Sequence, residues 1–317
     1  MKKNYKLGFS LIEISVVVLI IGVLIAAITT GTDLVKRSKL ASARNLSANS
    51  SIYGMGDLVL WLESSLPTSF QDAGEGEGVV LWSNNSPFYN IGSAIMDGST
   101  DVPMYIKDAI NHIPSVRFSG LCDAGLCEQY LNVPSIARLL EETDLTIFIL
   151  EKRDAGNPTA ERRIISTSNG DGAISGTGLN IYYNTSDQLA VTNASGASTL
   201  DVNVTSGPSL HYLTLFNDAD FEVNDNIILR QGFNYYRNQR LPESGPMPAA
   251  TALIEGGGDV RFATQSMGDV IRIGDSDHSY IGNLSEVIIF NRRLRQREMI
   301  DIFNYFEAKY NIVLSDS

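Results

Sequence analysis

The sequence predicts a mainly β protein with a long N-terminal transmembrane α-helix, a β-sandwich and a closing C-terminal helix. Three observations predict this fold class. The 20 residues from Phe9 to Ile28 carry a single charge, short runs rich in Val, Ile, Tyr and Phe recur from Leu58 onward, and an apolar stripe with helical spacing lies near the C-terminus. A stripe with three- and four-residue spacing is typical of a helix that packs on one face.

The apolar run at the N-terminus has the length of a membrane span. At about 1.5 Å per residue it forms a helix of roughly 30 Å, the thickness of the hydrocarbon core of a bilayer. Lys2, Lys3 and Lys6 precede it, which predicts a cytoplasmic N-terminus and an extracytoplasmic remainder. A plain signal anchor also fits this run, whereas a cleavable secretory signal does not, because no A-x-A-like site ends it. Glu13 is the one charge in the run, and it costs about 2.5–3.5 kcal/mol on insertion scales, so we expect it to have a partner.

The segment Gly8-Phe9-Ser-Leu-Ile-Glu13 resembles the processing site of type IV prepilins and type II secretion pseudopilins. The resemblance implies that residues 1–8 are a leader, that a prepilin peptidase cuts between Gly8 and Phe9, and that it methylates the new amino group of Phe9. Glu13 is then the fifth residue of the mature chain, and its carboxylate is expected to pair with the amino terminus of a neighbouring subunit. Mutual neutralisation offsets the desolvation cost of two lone charges in lipid. The implied partners are the prepilin peptidase, other pilin or pseudopilin subunits, the inner-membrane assembly platform and membrane lipid.

Composition limits the remaining possibilities. The chain has 317 residues, 44% of them hydrophobic, and a formal charge of −12, which becomes −15 without the three lysines of the leader. An acidic chain lacks the basic surface that nucleic-acid binding needs, so no nucleic-acid partner is expected. No G-x-S-x-G, H-E-x-x-H or P-loop motif is present, and no cofactor is expected.

Two cysteines, Cys122 and Cys127, flank a short stretch that contains Gly125. On the oxidising side of a membrane this spacing predicts a local disulfide. Closing so small a loop stabilises a fold by roughly 2 kcal/mol. The three histidines are scattered along the chain, so the cysteines are not expected to bind a metal.

The sequence after the membrane run divides into a helix, a linker and a head. From Thr29 to about Asn49 no proline interrupts helix-compatible residues, which predicts one continuous helix over 9–49 that protrudes from the membrane. The Ser-, Asn- and Gly-rich stretch Ser47–Gly56 marks the break after the helix, so 50–56 is predicted to be a linker, and 57–317 is predicted to form the head.

Short strands are predicted throughout the head, separated by clusters of Asn, Asp, Gly and Ser. They are Leu58–Leu62, Val79–Trp82, Ser115–Phe118, Leu145–Glu151, Arg163–Thr167, Leu179–Tyr183, Leu189–Thr192, Leu210–Phe216, Asn226–Gln231, Val270–Gly274 and Ser285–Phe290. The predicted closing helix carries its apolar stripe at Met299, Ile300, Ile302, Phe303, Phe306 and Tyr310.

Five motifs of the head are similar, in order, to laminin-G-like domains of the concanavalin A-like lectin/glucanase superfamily. They begin at Leu58, Val79, Val116, Thr146 and Ile271, and Asn283–Leu294 followed by Ala308-Lys309-Tyr310 resembles the final strand and terminal helix of the bacterial versions. The resemblance implies a concanavalin A-like jelly-roll β-sandwich. The sequence departs from the family at Glu63 and Ser119, where Asp is common, and at Arg295, where a Ser or Asp cap is common.

Catalytic and metal sites have little support in the sequence. Glycosidases of this superfamily need two carboxylates on one strand face, and only Asp218-Ala-Asp220-Phe-Glu222 imitates that pattern. Its neighbours favour a solvated hairpin tip, so no catalytic residue is assigned. Asp275 and Asp277 with backbone carbonyls would suit a calcium ion, but a pair of solvated acids is the simpler interpretation. Trp61 and Trp82 are expected in the core and not as platforms for a sugar.

Two functional hypotheses follow. The first is a minor pilin or pseudopilin-like subunit, not an enzyme, whose helix enters a fibre and whose head is a binding or adhesive module for a surface glycan or protein. The second is a membrane-tethered glycosidase on the same fold. For the first, the loops at Gly92–Asp101, Asn169–Gly176 and Asp275–His278 are the expected contact surface, because rigid sandwiches present function on loops. The choice among a pilus, a pseudopilus and a competence system stays open.

Overall fold

The computed structural model describes 15 stretches of the chain. They are residues 10–70, 73–88, 92–96, 102–119, 129–134, 144–154, 162–167, 180–186, 188–193, 196–199, 207–223, 226–237, 239–240, 270–273 and 280–316.

Two α-helices bracket the fold. Helix α1 spans Leu11–Ala48, 38 residues without a proline, and is followed by a single 3-10 turn at Ser51–Gly54. Helix α2 spans Gln296–Tyr310 and ends at Asn311, which adopts the left-handed conformation common at helix C-termini. The backbone N–H of Arg295 donates to Glu298 over 2.9 Å, so a carboxylate serves the start of α2 although its N-cap is an arginine.

Seventeen strands lie in the described residues. They are β1 Leu58–Glu63, β2 Leu81–Trp82, β3 Ala94–Ile95, β4 Met104–Ile110, β5 Ile113–Phe118, β6 Leu131–Pro134, β7 Leu145–Arg153, β8 Arg162–Thr167, β9 Asn180–Tyr183, β10 Leu189–Asn193, β11 Gly196–Thr199, β12 Ser209–Val223, β13 Asn226–Arg237, β14 Gln239–Arg240, β15 Val270–Ile273, β16 Gly282–Phe290 and β17 Ser315–Asp316.

The strands form two large sheets. Sheet A has seven described strands in the order β13-β12-β7-β16-β5-β4, with β1 also paired to β16. Strand β16 therefore has β7 along one side, while β5 and β1 share its other side. Sheet B has eight described strands in the order β11-β10-β9-β8-β15-β6-β3-β2. All pairings within these two sheets are antiparallel, and a short parallel pair, β14 with β17, lies apart.

Two hydrophobic layers hold the molecule together. The inner layer lies between the sheets and includes Leu62, Trp82, Ile149, Tyr183 and Val287. The second layer lies between the outer face of sheet A and the two helices. It joins strand residues with the stripe of α2 and with the end of α1, and its members include Ala43, Ile52, Trp61, Phe148, Ile288, Phe303 and Phe306. Sheet A is therefore covered on both faces.

The predicted fold class is confirmed: a long apolar N-terminal helix, antiparallel sheets and a C-terminal helix. Both tryptophans are completely buried, and of the predicted α2 stripe only Ile300 is not. The prediction missed β4, because five of its seven residues are not buried and Lys107 and Asp108 interrupt its apolar pattern. It also missed the short strands β3, β6, β11, β14 and β17.

One local prediction is wrong. The stretch Asp218–Glu222 was expected at a hairpin tip, but it lies within β12, which pairs with β13 on both sides of a bulge between Asp218 and Phe221. Strand pairing over 15 residues overrides the local preference of Asn and Asp for turns.

The stretch predicted as a linker is packed. Ile52 and Met55 belong to the second hydrophobic layer, with exposed fractions of 0% and 6%. The joint between helix and head is therefore part of the core.

Candidate functional site

The N-terminal end of α1 carries the residue predicted to act in assembly. Ser10 caps the helix, and its side chain accepts a hydrogen bond from the Ile12 N–H over 3.3 Å. In return the Ser10 N–H donates to the Glu13 carboxylate over 2.7 Å, which completes a capping box. Glu13 is thus held at the helix start on an exposed surface. Gly8 and Phe9, the predicted processing site, lie outside the described residues.

Among the described residues, the first 25 of α1 belong to neither hydrophobic layer of the head. Its apolar side chains are exposed from Leu11 at 85% to Val35 at 51%, and within the described part of the chain this is the one helix long and apolar enough to cross a membrane. Exposure of these side chains to water is unfavourable, because burying one apolar side chain contributes about 1.5–3 kcal/mol of stabilising free energy. The helix surface is therefore suited to lipid or to other helices.

The last turns of α1 are built into the head. Ala43 and Ser47 are buried, and the Ser47 hydroxyl lies 3.1 Å from the Tyr305 hydroxyl of α2. The Arg44 guanidinium donates to the Ser65 carbonyl oxygen over 2.8 Å. Lys36, which lies nearer to the membrane segment than these residues, forms an exposed ion pair of 2.7 Å with Asp108. These contacts fix the direction in which the head leaves the helix.

Three buried charges lie beneath this joint. Glu63 at the end of β1 and Glu286 on β16 are direct cross-strand partners on the outer face of sheet A. Lys309 of α2 inserts between them: its ammonium contacts Glu63 and lies 2.9 Å from Glu286. All three side chains have an exposed fraction of 0%. We call this set the buried carboxylate pair and its lysine.

The two carboxylates have different environments. Glu63 accepts backbone N–H bonds of 2.8 Å from both Ser65 and Leu66. Burial raises the pKa of the Glu63 carboxyl, but Lys309 and the Ser65 donors outweigh burial and leave that pKa below its ordinary value.

Glu286 is surrounded by aromatic donors. It accepts hydrogen bonds from the Trp61 indole over 2.6 Å and from the Tyr305 and Tyr310 hydroxyls, each over 2.8 Å. Burial nevertheless raises the pKa of Glu286 above its ordinary value despite the nearby Lys309, and the charge of Glu63 adds to the effect. The pair therefore titrates unequally, with Glu286 the more readily protonated member.

A second polar cluster is enclosed between the two sheets. Glu151 of β7 accepts hydrogen bonds from the hydroxyls of Tyr183, over 2.5 Å, and of Tyr280, and its Oε1 lies 2.9 Å from the His211 ring. Burial raises the pKa of Glu151, but His211 and the two tyrosines outweigh burial and leave the pKa below its ordinary value. Arg153 lies 4.5 Å from the centre of the Tyr183 ring. All five side chains are buried.

Neither cluster presents its carboxylates to solvent. The buried carboxylate pair resembles a glycosidase pair only in being two acids on neighbouring strands, because α2 covers both and Lys309 neutralises one charge. Glu151 lies in the inner layer. Both clusters contribute to the fold, because their hydrogen bonds and ion pairs join elements that otherwise pack through apolar side chains.

Several predicted sites fall on parts of the chain that the structure does not describe. Cys122, Cys127, Asp275, Asp277 and the loop Asn169–Gly176 lie outside the described residues, as does 97–101 of the loop Gly92–Asp101. Among the described residues, no group of three or more His, Cys, Asp and Glu side chains could hold a metal ion.

The interpretation of the sequence did not identify the role of Glu63, Glu286 and Lys309. A signal was present: Lys309 follows Phe306 at the three-residue spacing of the α2 stripe, and Glu63 ends an otherwise apolar strand. Charges that continue a buried pattern need opposite charges nearby. The sequence does not say which charges those are.

Comparison with known proteins bears on the N-terminal segment. Residues 3–29 match the prokaryotic N-terminal methylation motif. The match covers residues 3–8 of the predicted leader, the predicted cleavage site, Glu13 and the whole apolar run. With the exposed helix, it indicates a single-pass, membrane-anchored pilin-like subunit that is processed by a prepilin peptidase and assembles with other pilin subunits.

The chain is also similar to solved structures at low sequence identity. The sialidase of Trypanosoma rangeli in complex with 2,3-difluoro-KDN is 14% identical, with a TM-score of 0.47, over 79% of this chain and 33% of that chain. The CBM40 of Ruminococcus gnavus IT-sialidase bound to α2,3-sialyllactose is 17% identical, with a TM-score of 0.35, over 53% of this chain and 86% of that one. The chain thus spans about a third of the length of the sialidase. No curated protein matches this chain.

Proposed function

We propose that this protein is a minor pilin or pseudopilin-like subunit that inserts α1 into a type IV pilus or type II secretion-type fibre and displays a binding head. The observation that carries the proposal is the continuity of one helix. It begins in a methylation motif at residues 3–29 and ends, at Ala43 and Ser47, in the core of the head. A subunit of this form transmits any load on the head directly to the fibre.

The orientation follows from charge. Lys2, Lys3 and Lys6 hold the leader in the cytoplasm, and the head, with its acidic side chains, lies on the far side of the membrane. After processing and assembly the head belongs to a cell-surface or periplasmic fibre.

The head is a laminin-G-like domain that binds a surface glycan or protein without chemically changing it. Two observations support a non-catalytic head: the cross-strand pair Glu63 and Glu286 is closed off beneath α2, and Glu151 is enclosed between the sheets. The head is also bulky for a subunit that repeats along a thin filament, which favours a minor position at or near the tip.

The N-terminus of the mature protein tests the assembly role. We expect mass spectrometry of the protein from cells with an active prepilin peptidase to find a chain that begins at N-methylated Phe9. Gly8→Leu is expected to leave the leader attached, since the peptidase needs a small residue there, while Lys6→Ala serves as a matched control in the same leader. A mature chain that begins at Met1 contradicts the proposal.

The head is tested separately with ligands. We expect purified protein to bind a subset of a glycan array and to release no sugar from polysaccharides. Hydrolysis that disappears in Glu222→Gln would favour the glycosidase hypothesis. An array without any bound glycan would favour a protein ligand.

A further inference from the structure

We propose that Lys309 and Glu63 condense to an intramolecular amide bond, with Glu286 as the proton-transfer group. The bond would join the Nζ of Lys309 in α2 to the side-chain carbonyl carbon of Glu63 in β1. It is independent of what the head binds and of whether the protein enters a fibre.

The first argument is the composition of the site. Lys309 contacts both Glu63 and Glu286, all three side chains are fully buried, and one ammonium cannot neutralise two carboxylates. A proton bound by the pair removes the excess charge, and burial favours such neutral forms. The site then holds an amine donor, a carboxyl acceptor and a carboxylic acid beside them.

The second argument is the environment. The ammonium of Lys309 lies 5.2 Å from the centre of the Tyr305 ring and 5.0 Å from that of Tyr310, and the Trp61 ring packs edge-on against Tyr305. Burial penalises the charged forms of both groups, which lowers the cost of passing a proton from Lys309 to Glu63. The ion pair and the Ser65 donors keep Glu63 ionised at rest, so the neutral amine and acid form only transiently. The same exclusion of water disfavours hydrolysis of the product.

The third argument is the position of the backbone donors. The N–H groups of Ser65 and Leu66 already donate to the two oxygens of Glu63. When Nζ attacks the carboxyl carbon, negative charge develops on one of these oxygens, and preformed N–H donors stabilise it.

The reaction balances within the three side chains. Proton transfer converts the Lys309 ammonium and the Glu63 carboxylate to an amine and a carboxylic acid. The amine then forms a C–N bond to Glu63, one amine proton passes to Glu286, and the acid proton of Glu286 converts the Glu63 hydroxyl to water. The C–O bond breaks, one water leaves, and Glu286 regains its starting state. Such positioning of reactants replaces an external activating group.

The product ties the C-terminal helix to the first strand of the head. Because β1 begins ten residues after the last residue of α1, Ala48, and Tyr305 contacts Ser47, the amide lies at the joint that carries load between helix and head.

Peptide masses test the proposal on the full-length protein extracted in detergent. Trypsin does not cut after an acylated lysine, so peptide 298–317 should remain uncut at Lys309. It should be joined to the peptide that contains Glu63. The mass of the joined product should be lower, by one water, than the summed masses of the two peptides. Lys309→Met should release the Glu63 peptide in free form, and Glu286→Gln should do the same while keeping Lys309. Glu298→Gln is the control. It changes a carboxylate of α2 that is partly exposed and bonds to Arg292, and it should leave the branched peptide unchanged.

The wild-type protein alone decides the result. A folded wild-type chain in which trypsin cuts at Lys309 and the Glu63 peptide has its full mass would overturn the proposal and leave a plain ion pair. A loss of water that maps to another position would overturn it equally. If the variants fail to fold, the wild-type peptides still give the answer.

Discussion

At the scale of single residues, the position of a charged side chain indicates whether it serves assembly or the stability of the head. Glu13 lies at the exposed start of α1, more than 40 residues before the first strand, whereas Glu151 lies completely inside the head. Removing the first should change what the chain assembles with, and removing the second should change whether the head stays folded.

Glu13→Val is expected to leave the head intact and to lower incorporation into fibres. The substitution removes a charge that is costly in lipid, and it touches no residue of either hydrophobic layer. Thermal melting of the head should be unchanged, while the amount of subunit in sheared fibres should fall several-fold. Ser15→Val, in the same exposed turn, is the control, and wild-type levels of Glu13→Val in fibres would show that the carboxylate does not pair during assembly.

Glu151→Gln should destabilise the head in a pH-dependent way. Because the pKa of Glu151 is lowered in the folded state, its carboxylate contributes stability above the unfolded-state pKa of about 4.3 and loses it as pH falls through the folded-state value. We expect the variant to lose about 1–3 kcal/mol of unfolding free energy at pH 7. The difference from wild type should shrink in acid. Urea unfolding at pH 7 and at pH 3.5 measures this, and a difference that does not depend on pH contradicts the assignment.

At the scale of elements, the two helices act as covers for sheet A. Helix α2 contributes Met299, Ile302, Phe303, Phe306 and Tyr310 to the second hydrophobic layer, and the end of α1 contributes Ala43. Within this layer the ring of Phe148 in β7 lies 4.9 Å from that of Tyr212 and 6.0 Å from that of Phe303, measured between centroids. The layer depends on helix and sheet together.

Phe303→Ala should therefore cost about 3–5 kcal/mol of unfolding free energy. The reason is a cavity between α2 and sheet A, where the Phe303 side chain is 1% exposed. Arg297→Ala on the exposed side of the same helix should change stability by less than about 0.5 kcal/mol. Chemical denaturation of both variants checks the contrast, and equal effects would mean that α2 does not pack as described.

A second prediction at this scale concerns where a stable head fragment begins. A fragment 57–317 lacks Ala43, Ser47, Ile52 and Met55, all of which are buried against the head. Losing Ile52 alone should cost about 2–5 kcal/mol. We expect the fragment 36–317 to be more stable than 57–317 by at least that amount in denaturant titrations. Equal stability would show that the end of α1 adds nothing to the core.

At the scale of the whole molecule, size and shape determine abundance in a fibre. One helix carries a head of more than 250 residues with two large sheets, and a head of that bulk cannot repeat at the close spacing of packed helices. We expect quantitative mass spectrometry of sheared fibres to find far fewer copies of this subunit than of the major subunit. Labelling of the head in electron micrographs should be found at fibre ends. Uniform labelling along the fibre contradicts the minor role.

The sequence by itself determined the membrane helix, the processing motif, the closing helix and most of the long strands. Each of these is local: an apolar run of membrane length, a short motif, or a repeat of two or of about 3.6 residues. The buried tryptophans followed for the same reason, because large aromatic residues within apolar strands pack inward.

Only the tertiary structure decided how these elements meet. Glu63, Glu286 and Lys309 are more than 20 residues apart in sequence at their closest, and they meet because β1 pairs with β16 beneath α2. The burial of Ile52 and the placement of Asp218–Glu222 in a long strand likewise depend on contacts made by distant residues. Local sequence carries no record of strand order or register, so the joint between helix and head, and the chemistry that its buried charges allow, emerge only when the two sheets and two helices are packed together.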